Sequence, residues 1–124
     1  MANGFTGWEL DRQDRERLLV RFPARYPEAV AHHVTLKFRP DKVKLPTERS
    51  GEIVGEADDG AGVQAMVVRI GGTTDRPDGS TYHITWSLGA GRKAKESNDV
   101  IREHGWRPFA EPIPIRLHPK HYPF

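Results

Sequence analysis

The chain is predicted to fold as one α+β domain that spans residues 1–124. Its length of 124 residues suits a single domain with a single core. Twelve glycines and ten prolines indicate many turns and short elements instead of a helical bundle. Strand-like and helix-like segments follow one another in mixed order, which favours α+β over a parallel α/β sheet.

The first two elements are a short strand and a helix. Residues 5–10 are predicted to form the strand. Asp11 is placed to cap the helix that follows, with Asp14 three residues later as a partial capping box. This helix is expected to run to about Arg21, because Pro23 then interrupts it.

The middle of the chain is rich in strand patterns. Residues 32–38 form the best strand of the N-terminal half. Residues 51–57 and 63–70 are predicted to pair as a hairpin, with Asp58-Asp59-Gly60 in the turn.

The C-terminal part begins with a loop of Gly, Thr, Asp and Pro at residues 71–80, followed by a second strong strand at 82–88. A short helix is expected at about 98–104, where Gly105 ends it. The last predicted strand covers residues 113–117, and its flanking prolines favour the edge of a sheet.

One short pattern occurs twice. Residues 33–36 read His-Val-Thr-Leu, and residues 83–86 read His-Ile-Thr-Trp. A single match is weak because strands are built from such alternation, but two matches on two predicted strands are a stronger indication. Side chains alternate between the faces of a strand, so each strand presents a polar face with His followed by Thr. The opposite faces carry the apolar residues Val34, Leu36, Phe38, Tyr82, Ile84, Trp86 and Leu88, which we expect in the core.

These four polar side chains have the chemistry to hydrolyse a phosphodiester. His33 and His83 would be an acid–base pair, because histidine titrates near neutral pH and one ring can be charged while the other is neutral. Thr35 and Thr85 would donate hydrogen bonds to the non-bridging phosphate oxygens, where charge develops. No metal ion or other cofactor is required for this reaction.

The paired motifs resemble those of the 2H phosphoesterase superfamily, which carries two His-x-Thr/Ser motifs on strands of two pseudo-symmetric lobes. The resemblance implies a concave antiparallel or mixed sheet around a central groove, with about two helices outside. It also implies metal-independent hydrolysis of a 2′,3′-cyclic phosphate or a small cyclic or 2′–5′-linked nucleotide. By this likeness His33, Thr35, His83 and Thr85 are catalytic, with His83 as the base and His33 as the acid. The chain would be a compact member, because its motifs lie only 50 residues apart.

Two cations near the motifs are candidates for substrate binding. Lys37 is predicted to share the polar face of His33 and Thr35. Arg92 follows the second motif strand, in a basic cluster with Lys93 and Lys95. The alternative for both is a solvated position. A platform for base stacking could come from one of several aromatic residues among which the sequence does not choose: Trp8, Trp106, Tyr122 and Phe124.

Composition narrows the classes of function. The formal net charge of +2 favours a small nucleotide or an RNA terminus over a long duplex, which would need a broad basic track. The absence of cysteine excludes disulfides and thiolate metal sites. No membrane span or secretory leader is recognised, so we expect a cytoplasmic protein, with a monomer as the default.

Two other interpretations of the function are compatible with the sequence. The chain could be a non-catalytic module that binds nucleotides or RNA ends on the same fold. It could also be a structural domain in which the repeated motif is accidental. In that last case the four side chains would not converge in space.

Overall fold

The structure, a computed structural model, describes residues 3–123. It contains seven strands and two helices within that range: β1 (Phe5–Leu10), α1 (Arg12–Arg21), β2 (Glu28–Ala29), β3 (His33–Phe38), β4 (Ser50–Asp58), β5 (Val63–Arg69), β6 (His83–Leu88), α2 (Glu96–His104) and β7 (Arg107–Tyr122). The predicted α+β class is confirmed.

All strand pairs are antiparallel, and the sheet closes on itself. The strand order is β2-β6-β3-β1-β7-β4-β5, and an additional pairing of β5 with β6 closes the strands from β6 to β5 into a barrel-like ring, with the short β2 attached to β6. The two motif strands are neighbours in this ring, paired through Val34 and Ile84. This direct pairing of β3 with β6 brings together two segments that are 50 residues apart in the sequence.

The core has two parts, inside and outside the ring. The larger cluster is centred on the fully buried Trp8, Trp86 and Leu117 and also contains Leu18 of α1. A second cluster lies between β4–β6 and α2, where Val100 and Ile101 meet the outer side of the sheet. The predicted core positions Tyr82, Ile84, Trp86 and Leu88 are all buried, as expected.

Asp11 caps α1 as predicted. Its Oδ1 accepts hydrogen bonds from the backbone N–H groups of Gln13 and Asp14, both at 3.1 Å. The predicted role of Asp14 in a capping box is wrong, because its buried carboxylate faces β7 instead. It accepts hydrogen bonds from the backbone N–H of Arg116 at 2.7 Å and from the Arg116 guanidinium at 3.0 Å. This pair ties the helix to the last strand.

The last strand differs most from the prediction. It runs over residues 107–122 instead of 113–117, and it stands between β1 and β4 in the sheet instead of at an edge. Residues 107–108 and 113–116 pair with β4, on either side of an irregularity, and residues 117–122 pair with β1. Each half thus has a partner on one side only. The strand tolerates its prolines for that reason, because a residue without an N–H fits where no ladder bond is required.

The other differences are small. The β4–β5 hairpin forms as predicted, and Asp59 Oδ1 accepts from the N–H groups of Ala61 and Val63 in its turn. Helix α2 begins at Glu96, two residues before the predicted start, and β2 was not predicted. None of the helices within residues 3–123 has the length and apolar character that a membrane crossing requires.

Candidate active site

The four motif residues line a single cavity of about 520 Å³. Val34 and Ile84 face the interior of the ring and are fully buried. Because side chains alternate along a strand, the flanking motif residues project to the outer side. His33 and Thr35 reach the cavity from β3, and His83 and Thr85 reach it from β6. The structural alternative, in which the motif residues do not converge, is therefore not what the fold shows.

A bulge in β3 moves Lys37 away from this cavity. Thr6 of β1 pairs with Lys37, but the next residue, Gly7, pairs with Thr35, so Leu36 is an extra residue. The backbone is so close here that a Cβ on Gly7 would come within 2.1 Å of the Val34 carbonyl oxygen. The prediction that Lys37 shares the face of Thr35 is wrong, because the bulge reverses the alternation.

The same bulge turns Phe38 towards the cavity. Phe38 was expected on the apolar inner face, but it is 55% exposed and lines the cavity together with Phe5, its partner across β1 and β3. These two rings form an apolar wall beside His33 and Thr35. Flat rings of this kind suit the face of a nucleobase or a ribose.

Arg92 does not reach the cavity either. Its guanidinium forms ion pairs with Asp59 at 2.8 Å and with Glu96 at 3.2 Å, and it also binds the Ala61 carbonyl oxygen. Arg92 therefore fastens the start of α2 to the β4–β5 turn. Lys95, from the same basic cluster, is the residue that lines the cavity.

The second cation of the cavity is Arg76, which the sequence did not single out. It lies in the loop between β5 and β6, and its side chain is only 10% exposed. One guanidinium nitrogen, Nη2, is 2.7 Å from Asp78, while Nε is buried without a hydrogen-bond partner among the residues described. The only indication in the sequence is that this loop leads into β6, which begins at His83.

Three rings surround the side chain of His33. The centroid of its ring is 5.0 Å from Phe5, 5.4 Å from Tyr122 and 5.2 Å from His32. Phe5 and Tyr122 in turn stack on each other, with centroids 4.7 Å apart. Apolar rings on two sides hold the imidazole in place and shield it from water.

The environment of His33 favours its neutral form. Burial is the largest cause, followed by the positive charges of His32 and His83, and together they lower the pKa of His33 to about 4. His33 Nδ1 lies 3.0 Å from His32 Nδ1, so Nε2 is the nitrogen that remains for a ligand. His32 Nε2 lies 3.6 Å from the carboxylate of Glu9.

His83 has a defined tautomer. Its Nδ1 lies 2.8 Å from the carbonyl oxygen of Thr81, which can only accept, so Nδ1 carries the proton. Burial lowers the pKa of His83, and Arg76 lowers it further, although the bond to Thr81 and the charge of Asp78 act in the opposite direction. The neutral ring therefore offers a lone pair on Nε2.

The two threonines differ in their partners. The hydroxyl of Thr35 makes no hydrogen bond to another residue in the described part of the chain, so it is available to a ligand. The hydroxyl of Thr85 is 2.8 Å from the Ser97 hydroxyl and donates to the Ala94 carbonyl oxygen at 3.2 Å. Thr85 thus anchors the first turn of α2, and it lines the cavity with its hydroxyl already engaged.

The cavity can bind an anion and move protons. Arg76 and Lys95 supply positive charge, and Thr35 supplies a free hydroxyl group. The two histidines supply ring nitrogens that can accept or donate a proton. Within residues 3–123 no group of three or more His, Cys, Asp and Glu side chains is arranged to hold a metal ion.

Comparison with known proteins adds no relative from which a role could be transferred. No family model, curated protein or solved structure matches the chain.

Proposed function

We propose that this chain is a metal-independent phosphodiesterase that hydrolyses a 2′,3′-cyclic phosphate or a small cyclic or 2′–5′-linked nucleotide. The observation that carries the proposal is the convergence of His33, Thr35, His83 and Thr85 on one cavity, with Arg76 and Lys95 beside them. This constellation matches the needs of phosphodiester hydrolysis, which are a base, an acid and donors to the phosphate oxygens.

His83 is the general base in this scheme. Its Nδ1–H is held by Thr81, so Nε2 accepts the proton of a water molecule. The water oxygen forms a bond to phosphorus, and the bond from phosphorus to the ester oxygen breaks. Arg76 and the hydroxyl of Thr35 stabilise the charge that develops on the non-bridging oxygens.

His33 is the general acid. Its Nε2 gives a proton to the departing ribose oxygen, and the products are a phosphate monoester and a free hydroxyl group. In the free protein the pKa of about 4 keeps this ring mostly neutral at pH 7. A bound phosphate anion stabilises the protonated ring, so substrate binding raises the pKa of His33 and favours the acid form.

The proposal includes the two-lobed arrangement that the resemblance implies. In it, β3 and β6 are the equivalent strands of two pseudo-symmetric halves, each with His and Thr at the same spacing. Their antiparallel pairing through Val34 and Ile84 supports this relation. The catalytic groove would then lie across the junction of the halves, on the outer side of the ring.

The test is hydrolysis in the presence of EDTA. The purified protein would be incubated with 2′,3′-cyclic mononucleotides, 2′–5′ oligoadenylate and cyclic di- and trinucleotides. We expect turnover of at least one class, and its loss in the His33→Ala/His83→Ala double variant. His104→Ala is the matched control, because His104 is exposed and does not line this cavity. A chelator-sensitive activity, or an active double variant, would contradict the proposal.

One observation favours a second function, a non-catalytic module that binds nucleotides or RNA ends. The hydroxyl of Thr85 is engaged by Ala94 and Ser97, so one of the two expected phosphate donors is occupied. Binding of 3′-AMP or 2′-AMP by the folded protein, with no turnover of any substrate in the panel, would establish this alternative.

A further inference from the structure

A second cavity continues from the active site along α2. It has a volume of about 390 Å³ and shares two lining residues, Asp78 and Asn98, with the cavity that holds the histidines. Trp106, just beyond the end of α2, lines its far part. Both cavities fall within the range of about 300–1,000 Å³ that is usual for small-molecule sites. A ligand held at the histidines therefore has room to extend past Asn98.

Trp106 is the aromatic residue that the structure selects for this extension. Trp8 is buried in the core with 1% of its surface exposed, so it cannot stack on a ligand. Tyr122 packs on Phe5 beside His33, and Phe124 lies outside the described residues. Trp106 is partly exposed, and its ring rests directly on Gly55, where a Cβ would approach it to 2.3 Å. The indole is thus supported from below and accessible from the cavity.

Asn98 lies where the two cavities meet and has an unused acceptor. Its Nδ2 donates to the Lys95 carbonyl oxygen at 3.2 Å, whereas its Oδ1 is buried and has no partner among the residues described. A buried acceptor without a donor is unfavourable, and a ligand with an N–H or O–H group at this point would satisfy it. Ribose hydroxyls and the amino groups of bases are such donors.

We propose that the second cavity binds the base of a second nucleoside, so that the substrate is an RNA end or a 2′–5′-linked oligonucleotide instead of a free mononucleotide. This inference rests on the proposed function, which places the scissile phosphate between His33 and His83. The second base stacks on Trp106, and Asn98 Oδ1 accepts a hydrogen bond from the nucleoside. Stacking depends little on base identity, so this subsite distinguishes oligonucleotides from mononucleotides more than it distinguishes one base sequence from another.

Tryptophan fluorescence provides a direct test that does not depend on turnover. The wild-type protein would be titrated with two stable phosphate monoesters, 3′-AMP and the dinucleotide ApAp, which ends in a 3′ phosphate. Because Trp8 and Trp86 are buried, a stacked base quenches Trp106 selectively. We expect ApAp, but not 3′-AMP, to quench the emission. Isothermal titration calorimetry gives both affinities, and ApAp should bind about tenfold more tightly than 3′-AMP, in line with the stacking of one base.

In Trp106→Ala, which lacks the fluorophore and is therefore titrated by calorimetry, that advantage should be lost and the affinity for 3′-AMP should be unchanged. Trp106→Phe should retain part of the advantage. Equal affinities for ApAp and 3′-AMP, or no effect of Trp106→Ala on ApAp, would overturn the inference. If a cyclic mononucleotide is hydrolysed and Trp106 has no influence on dinucleotides, only the second subsite fails. If ApAp binds through Trp106 and no substrate is hydrolysed, only the proposed activity fails.

The linkage is determined by turnover. ApA with a terminal 2′,3′-cyclic phosphate and 2′–5′-linked ApA each carry a second nucleoside one phosphate away from the first. The inference predicts that the preferred one of the two has a higher kcat/KM than a cyclic mononucleotide, and that Trp106→Ala abolishes this difference. A cyclic mononucleotide hydrolysed faster than both would contradict it.

Discussion

His32 and His33 face each other through their Nδ1 atoms, which are 3.0 Å apart. Only one of the two nitrogens can donate in this contact, so full protonation of both rings is disfavoured. The Glu9 carboxylate lies 3.6 Å from His32 Nε2. His32 therefore helps to keep the neighbouring ring neutral and orients it so that Nε2 serves the cavity.

Replacement of His32 should raise the pKa of His33. The charge of His32 is the second cause of the low value, after burial. In His32→Ala and in the neutral His32→Asn we expect the pKa of His33 to move upwards from about 4, as followed by NMR titration of its ring protons. His104→Ala is the control and should leave the value unchanged. An unchanged pKa in both His32 variants would show that His32 does not contribute to the low pKa of His33.

The protein should lose stability as the pH falls from about 6.5 to 4. In this interval the unfolded chain binds a proton at His33 and the folded chain does not, because the pKa is about 4 in the folded state and 6.5 otherwise. The free energy of unfolding therefore decreases towards acid, by an amount on the order of 3 kcal/mol for this group.

Denaturant titrations of the wild type and of His33→Gln at pH 7 and pH 4.5 measure this contribution. The neutral amide cannot titrate, so the variant should lose less stability between the two pH values than the wild type does. The paired carboxylates, such as Asp14 and Asp58, have lowered pKa values and lose their contribution only at still lower pH. Equal losses in the two proteins would contradict the assignment to His33.

Substrate affinity should depend on Arg76. It should not depend on Arg92 or Lys37. A hydrogen bond to a charged group contributes about 1.5–3 kcal/mol, so Arg76→Ala should raise KM by about 10- to 100-fold. Arg92→Ala should leave KM unchanged and weaken the attachment of α2, because its partners are Asp59 and Glu96. Steady-state kinetics and thermal melts of the two variants separate these effects. An unchanged KM in Arg76→Ala would show that Arg76 does not contribute to substrate binding.

The two threonines should respond differently to replacement by valine. Thr35→Val removes a free hydroxyl, so kcat should fall by about 100-fold while stability changes little. Thr85→Val leaves the buried Ser97 hydroxyl without its partner and should reduce the free energy of unfolding by about 1–3 kcal/mol. Kinetics and denaturant titrations on both variants test this. The same stability loss in both variants would contradict the distinction.

The sequence was sufficient for the local features of the site. Alternation with period two placed His33 and His83 on the faces opposite Val34 and Ile84, and the convergence of the motif residues agrees with that pattern. The side chain of Asp11 was likewise enough to locate the start of α1. These predictions depend only on neighbours within a few residues.

Features that depend on distant contacts were not accessible in this way. The bulge at Leu36, which excludes Lys37 from the cavity, forms because the backbones of β1 and β3 approach closely at Gly7. Closure of the sheet depends on the pairing of β5 with β6, and the length of β7 depends on its exchange of partners between β4 and β1. Arg76 reaches the cavity through a loop whose path the sequence pattern does not encode.

The pH dependence of kcat/KM tests the central claim most directly, namely that His33 and His83 act as one acid–base pair in opposite protonation states. This ratio reports the pKa values of the free enzyme. Both pKa values are lowered from 6.5, that of His33 to about 4. We therefore predict a bell-shaped profile with its maximum at mildly acidic pH, from which His33→Ala and His83→Ala each remove a different limb. A flat profile, or the loss of the same limb in both variants, would contradict the claim.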